Sequence, residues 1–192
     1  MNRREILKLT ALATGVAVSA PLLSTLLTGC QTTLPDQDAD YELVFFDKVE
    51  FSLVRNLVDT ILPKTDSPAA SEVGVHRMID HMVGKVYVGE NQSNYKTGFT
   101  ALKNYLNGEN GKNPFSKMDA KEKLTAIKGI SEDEDESMKV TQKALLDLRQ
   151  QTVAYYLSTE EIAKNYLTYL PVPGEYLPCI TVEEAGGKAW AI

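Results

Sequence analysis

Phe46-Asp47-Lys48-Val49-Glu50-Phe51-Ser52-Leu53-Val54-Arg55-Asn56-Leu57-Val58-Asp59-Thr60-Ile61-Leu62-Pro63 is the stretch that decides the fold class. Phe46, Val49, Leu53, Leu57 and Ile61 recur at spacings of three and four, which places them on one face of a helix. Val54 and Val58 widen that stripe. Pro63 ends it, because the residue before a proline is pushed out of the helical region. On the upstream side, Asp38 or Asp40 is the expected cap.

The same period continues downstream. Ser71 to about Val86 reads as a second helix with Val75, Ile79, Met82 and Val83 inward. Asn91 to Asn107 reads as a third, bearing Tyr95, Phe99, Leu102 and Leu106. It runs into Asn107-Gly108-Glu109-Asn110-Gly111-Lys112-Asn113-Pro114, a break rich in turn formers. Asp119 and Glu122 form a capping-box pair ahead of Leu124 and Ile127. After an acidic connector, Ser131 to Ser137, another helix passes through Val140, Ala144, Leu145, Leu148 and Tyr155. Ser158 and Glu161 repeat the capping signature before Ile162, Tyr166 and Leu170. From Pro171 the chain holds three prolines and three glycines in 22 residues, which disfavours regular structure. The expected fold is all-α: a small domain of about five to six helices with an extended Pro/Gly-rich C-terminal tail.

The first thirty residues read as an address and not as fold. Asn2-Arg3-Arg4-Glu5-Ile6-Leu7-Lys8 resembles a twin-arginine export motif. Leu9 to Gly29 carry no charge, and the segment ends Leu27-Thr28-Gly29-Cys30, which resembles the lipobox of bacterial lipoproteins. A plain transmembrane anchor is the competing reading, since about twenty apolar residues span a bilayer. The threonines, serines, glycine and proline within the stretch, and the place of the cysteine, favour cleavage before Cys30. That gives an organisation of 1–29 signal, 30–39 lipidated tether and 40–192 helical domain, with the tail from 171. Acyl chains on Cys30 would hold the domain at the periplasmic face of a membrane, each buried methylene contributing about 0.8 kcal/mol. Gln31 is not the aspartate that commonly keeps lipoproteins at the inner membrane, so either membrane stays open. A route that moves folded proteins also suggests export together with a partner.

Removing residues 1–29 leaves 163 residues, enough for one domain with a full core. The removed part holds Arg3, Arg4, Lys8 and Glu5, a net +2, so the remainder carries −8 where the whole chain carries −6. No basic stripe stands out, which argues against nucleic acid as a partner. With Cys30 lipidated, Cys179 is the only thiol left, so no internal disulfide is expected.

Two segments carry a family resemblance. Leu57-Val58-Asp59-Thr60-Ile61-Leu62-Pro63, then Ser67-Pro68-Ala69-Ala70-Ser71-Glu72-Val73-Gly74-Val75 and Met78-Ile79-Asp80, are similar to the opening of gluconate 2-dehydrogenase subunit 3. Tyr169-Leu170-Pro171-Val172-Pro173-Gly174-Glu175-Tyr176, with Cys179 and the closing Gly186-Gly187-Lys188-Ala189-Trp190, resemble that family's tail. The likeness runs from about Phe45 to Trp190 and is generic from Gly89 to Ser137. Ala69 departs from the glycine often found in the loop. The resemblance implies a non-catalytic accessory subunit. Its partner would be a large FAD-dependent flavoprotein of the glucose–methanol–choline (GMC) type that oxidises a sugar or sugar acid, with a cytochrome c subunit as a possible electron acceptor. The small subunit would carry the export signal and help mature, export and tether the large one.

Residue chemistry within the chain points the same way. His76 and His81, five apart, lie about 140° apart on a helix and cannot face one metal together. Glu72, His76 and Asp80 share a face; a solvated stripe is the favoured reading over a metal site. Glu132 to Glu136 lacks the glycine and alternation of a calcium loop and reads as a solvated turn. Gly186-Gly187-Lys188 is too short for a phosphate loop and reads as a turn. Without a G-x-G-x-x-G after a strand, FAD is not expected in this chain but in its partner. Cys179 lacks a C-x-x-C-H setting for haem and is expected to be a buried or interface thiol. Neither catalytic nor metal residues are expected. Tyr166, Tyr169, Pro171, Pro173, Gly174, Tyr176 and Trp190 combine aromatic anchors with stiff backbone, the make-up of a partner-facing segment. The alternative from another class is a stand-alone envelope lipoprotein serving as a binding or scaffold module.

Overall fold

A computed structural model describes residues 38, 40–108, 114–172, 174–175 and 179–191. The export signal with Arg3 and Arg4, the lipidation site Cys30, most of the tether, and the tail residues Pro173 and Tyr176 lie outside the described residues. Residues 41–192 form one compact unit.

Among the described residues the unit is all-α, with six helices and no strand. They are α1 (Lys48–Ile61), α2 (Val75–His81), α3 (Glu90–Asn107), α4 (Ala120–Glu132), α5 (Lys139–Ser158) and α6 (Glu160–Tyr166). A π-helical turn, Met82–Val86, prolongs α2, and short 3-10 turns precede α4 and α5. The long helix α5 packs against all five others, so the core forms around it. Leu145 and Leu148 of α5 meet Leu57 and Val58 of α1, Ile79 of α2, Leu102 of α3, Ile130 of α4 and Ile162 of α6 in one buried cluster. α3 and α5 approach closely where Gly98 faces Ala144; a Cβ on Gly98 would lie 3.2 Å from that of Ala144.

Several local expectations change. α1 starts at Lys48 rather than after Asp38 or Asp40, because Asp47 is its cap. The Asp47 carboxylate accepts from the Val49 and Glu50 amides at 2.8 Å, and Glu50 reaches back to the Asp47 amide. This is a capping box. The helix therefore buries Glu50, Phe51, Leu53, Val54, Leu57 and Val58, while Val49, expected inward, is 71 % exposed. The second helix is shorter than expected at its start, since residues 71–74 form turns and Gly74 sits at φ 80°, a left-handed conformation suited to glycine. The Asp119–Glu122 capping box forms as expected, but Leu124 and Val140 face outward. Ser158 does not cap α6. It ends α5 and its hydroxyl donates to the Tyr155 carbonyl, leaving Thr159 at the boundary.

The described residues of the tail form no helix or strand, and the segment closes on itself. Thr168 forms a parallel bridge with Trp190: the Thr168 amide donates to Ala189 at 2.8 Å and the Ala191 amide donates to Thr168 at 2.9 Å. Between these ends, residues 181–187 form a turn in which the Glu184 carboxylate accepts from the Thr181 amide and hydroxyl. Gly186 and Gly187, at φ 86° and 69°, bring the chain back.

Candidate functional site

The motif residues of the sequence converge on two internal clamps. Asp59, near the end of α1, accepts from the Ser71 amide at 2.8 Å and from the Ser71 hydroxyl at 2.7 Å. That pair ties the end of α1 to the turns that lead into α2, across the Pro63 loop. Tyr156 of α5 holds the same loop from the other side, its hydroxyl donating to the Pro68 carbonyl at 2.8 Å. Glu72 accepts from the Ala69 amide at 2.9 Å and pairs with Lys64 at 2.8 Å. The Lys64 contact, seconded by the Ala69 amide, holds the Glu72 carboxyl below its ordinary range.

Asp80 forms the second clamp. It is fully buried, and its carboxylate gathers the strap of residues 41–46 that enters the domain. Oδ2 accepts from the Val44 amide at 2.8 Å and lies 3.0 Å from the Tyr41 hydroxyl; Oδ1 accepts from the Phe45 and Phe46 amides at 3.0 and 2.8 Å. Three consecutive amides aimed at one carboxylate explain how an acidic group tolerates full burial. The π turn makes room for the strap: at Gly84 a Cβ would stand 2.4 Å from Val44 Cγ1. Gln92 donates to the Val83 carbonyl at 2.9 Å. The strap's rings complete the seal, with Phe46 against Phe99 at 4.8 Å and Tyr41 stacked on Phe51 at 5.4 Å.

The row Glu72, His76 and Asp80 is thus not the solvated stripe expected of it. His76 and Asp80 are buried, and His76 packs against the Phe51 ring. Glu72 and Asp80 serve different clamps. No group of three His, Cys, Asp or Glu side chains among the described residues is placed to hold a metal. The acidic run Glu132–Glu136 is exposed, as a solvated connector should be. Beneath the strap, Glu50 is buried and pairs with Lys96 and Lys103, each at 2.7 Å. Burial alone would raise its carboxyl, but hydrogen bonds from Lys103, Lys96 and the Asp47 amide outweigh that and hold it below the ordinary value.

The tail presents the opposite picture. Tyr169, Leu170, Val172, Ile180, Val182 and Trp190 are exposed, as is Tyr166 at the end of α6, while among the described residues every fully buried apolar side chain lies before residue 165. Cys179 is free and exposed, not buried. Thr168–Trp190 pairing brings Tyr169 and Trp190, distant in sequence, to one end of the tail loop. Gly174 is also exposed, with open space around it. Of these, composition marks Tyr166, Tyr169, Gly174 and Trp190 but not Val172, Ile180 or Val182, and Leu170, expected in the apolar pattern of the last helix, lies beyond its end and is exposed. Sequence reasoning misses Asp80 and Asp59 as clamps, although both stand in the motif segments.

The distinctive carboxylates of this small helical domain are spent on its own backbone, and the described part of its closing segment presents aromatic and aliphatic side chains to solvent. The model of the family "Gluconate 2-dehydrogenase subunit 3" matches residues 48–174. The chain belongs to the gluconate 2-dehydrogenase subunit 3 family, and is an accessory subunit of that type. No curated protein and no solved structure matches the chain.

Proposed function

We propose that this chain is the anchored escort of a large FAD-dependent dehydrogenase of the GMC type that oxidises a sugar or sugar acid. In this reading the Arg3-Arg4 signal directs export, Cys30 carries the lipid, and the helical domain holds the large subunit at the periplasmic face. FAD belongs to that partner, and a cytochrome c subunit is the candidate acceptor of its electrons.

The observation that carries the reading is the contrast between a buried core formed before residue 165 and a segment after Leu167 whose described residues leave six large apolar side chains in solvent. Large exposed apolar groups clustered in one segment mark an interaction surface, and the two prolines flanking Val172 lower the entropy lost on docking. Tyr169 and Trp190 are the side-chain types that dominate binding energy at interfaces.

The test is affinity purification of the chain expressed with its neighbouring reading frames. A flavin-coloured large protein should co-elute, and truncation after Leu170 should abolish its recovery while the helical domain stays folded. Recovery of the intact chain alone and colourless, or undiminished capture by the truncated chain, would overturn the proposal. Labelling with a radioactive fatty acid checks Cys30 separately: incorporation should vanish in Cys30→Ala.

A further inference from the structure

The π turn Met82–Val86 passes into a short loop, residues 87–89, whose side chains divide between core and solvent. Tyr87 is turned inward. Gln151 Nε2 donates to its hydroxyl at 3.0 Å, its ring meets Tyr95 edge to face at 5.9 Å, and its amide donates to the Met82 carbonyl at 3.1 Å. Val86 and Val88, on either side of it, are 56 % and 73 % exposed. Gln92 fastens the base of the loop through the Val83 carbonyl, and Gly89, at φ 55°, turns the chain into α3. Two valines held out beside a fastened tyrosine form a small, fixed apolar tip. Lys85 and Glu90 flank it, both exposed and of opposite sign, so apolar contact rather than charge must hold the tip to a partner.

The place of the tip in the fold names that partner. Gly84, two residues before Val86, lies directly against Val44 of the strap. The strap begins at Tyr41, where the chain enters the compact unit. With Cys30 acylated, as in the reading above, only residues 31–40 join the lipid to that entry point. Ten residues reach at most about 35 Å. A unit of this length is roughly 38 Å across, and the path over its surface from pole to pole is roughly 60 Å. The entry point therefore lies on the half of the unit that faces the bilayer. The tip shares that side, because Val88 is at most about 14 Å of chain from the Gly84–Val44 contact.

We propose that this loop is where the domain touches lipid: Val86 and Val88 seat in the headgroup region of the bilayer that holds the Cys30 acyl chains. The proposal rests on the acylated-anchor reading above. The anchor keeps the tip at high local concentration against the surface, so two valines suffice where a free protein would not be retained.

The test uses the full chain, processed with its own signal in a Cys179→Ser background, on preformed vesicles of phosphatidylethanolamine and phosphatidylglycerol. The chain should float with the vesicles, and its Cys30→Ala variant should not. Single thiols are then introduced by Val88→Cys and, in the tail, by Val182→Cys, where the parent side chain is 76 % exposed. Their alkylation by a charged, membrane-impermeant maleimide is timed. Val88→Cys should react at least about tenfold more slowly on vesicles than in the unanchored Cys30→Ala chain, and Val182→Cys equally fast in both. Failure to float removes the acyl anchor and the proposal together. Flotation with unslowed Val88→Cys keeps the anchor and overturns the proposal alone. Equal slowing of both thiols overturns it as well, and so does slowing of Val88→Cys only when the large flavoprotein is bound, which would make the tip a protein contact.

Discussion

The strap at residues 41–46 and the tail after Leu167 are both irregular segments attached to the same helical body, and the body treats them in opposite ways. The strap is drawn in. Three of its amides end on Asp80, Phe46 is buried, and its rings stack on those of α1 and α3. The tail satisfies some of its backbone through its own bridge and turn, and the large apolar side chains of its described residues stay outside. Irregular backbone can be buried only where its polar groups find partners. A buried carboxylate supplies three acceptor bonds at once for the strap, and no comparable buried group serves the tail among the described residues. The contrast separates a segment that completes the fold from one free to complete something else.

The sharpest way to break the contrast is Asp80→Ala. It would leave the buried Phe46 amide and the partly buried Val44 and Phe45 amides without their acceptor. The expected loss is about 3–5 kcal/mol in urea denaturation, and Asp80→Asn, which keeps acceptor oxygen on one side, should lose less. Full stability in Asp80→Ala would mean that the strap is no more integral than the tail.

Glu50 gives a somewhat smaller effect with a pH signature. Its folded carboxyl is held below 4.5, the ordinary glutamate value, despite burial. A group depressed on folding contributes stability that is fully present above its unfolded value and is lost as pH falls through the folded one. Stability should therefore decline below about pH 4.5, and Glu50→Gln should flatten that decline. Glu50→Ala should cost about 2 kcal/mol at neutral pH, less than a fully buried pair because Lys96 is half exposed. An unaltered acid limb in Glu50→Gln would remove Glu50 from the account.

Gly84→Ala tests the room left for the strap. Its Cβ would meet Val44 Cγ1 at 2.4 Å. Overpacking costs about 1–3 kcal/mol, and alanine's better helix propensity returns up to about 1 kcal/mol. A net loss of about 1 kcal/mol is expected, with faster proteolysis at residues 41–46 as the local readout.

These positions also mark the limit of what the sequence disclosed. Spacing placed all six helices, and Pro63 and the Asp119–Glu122 box fixed boundaries, because those signals act within a turn or two of the chain. Asp47-x-x-Glu50 carries the same box, but Phe46 and Val49 also fit the period of the helical stripe, which places the expected cap further upstream. Asp80 was illegible for another reason. Its partners lie 34 to 39 residues away, and periodicity sees only a residue's own helix. A buried clamp and a solvated carboxylate look alike until the strap is in place. The tail was legible as a surface from composition, whereas its closure through Thr168 and Trp190 rests on pairing across more than twenty residues.

The smallest expected effect on stability is the one that tests the tail's meaning. Trp190 is about half exposed and Tyr169 nearly so. Side chains that already face water lose little when truncated, so Tyr169→Ala and Trp190→Ala should each leave the urea midpoint of the helical body within about 0.5 kcal/mol of the parent. Partner capture should respond in the other direction, since an aromatic anchor at an interface contributes about 2 kcal/mol or more, roughly thirtyfold in affinity. The two readouts must separate for the contrast to stand. If Trp190→Ala lowers both together, the ring supports its own domain and the tail is a second strap. If it lowers neither, the exposed apolar groups of the tail serve no partner. Loss of capture alone, with the body's unfolding unmoved, assigns the strap to the fold and the tail to the complex.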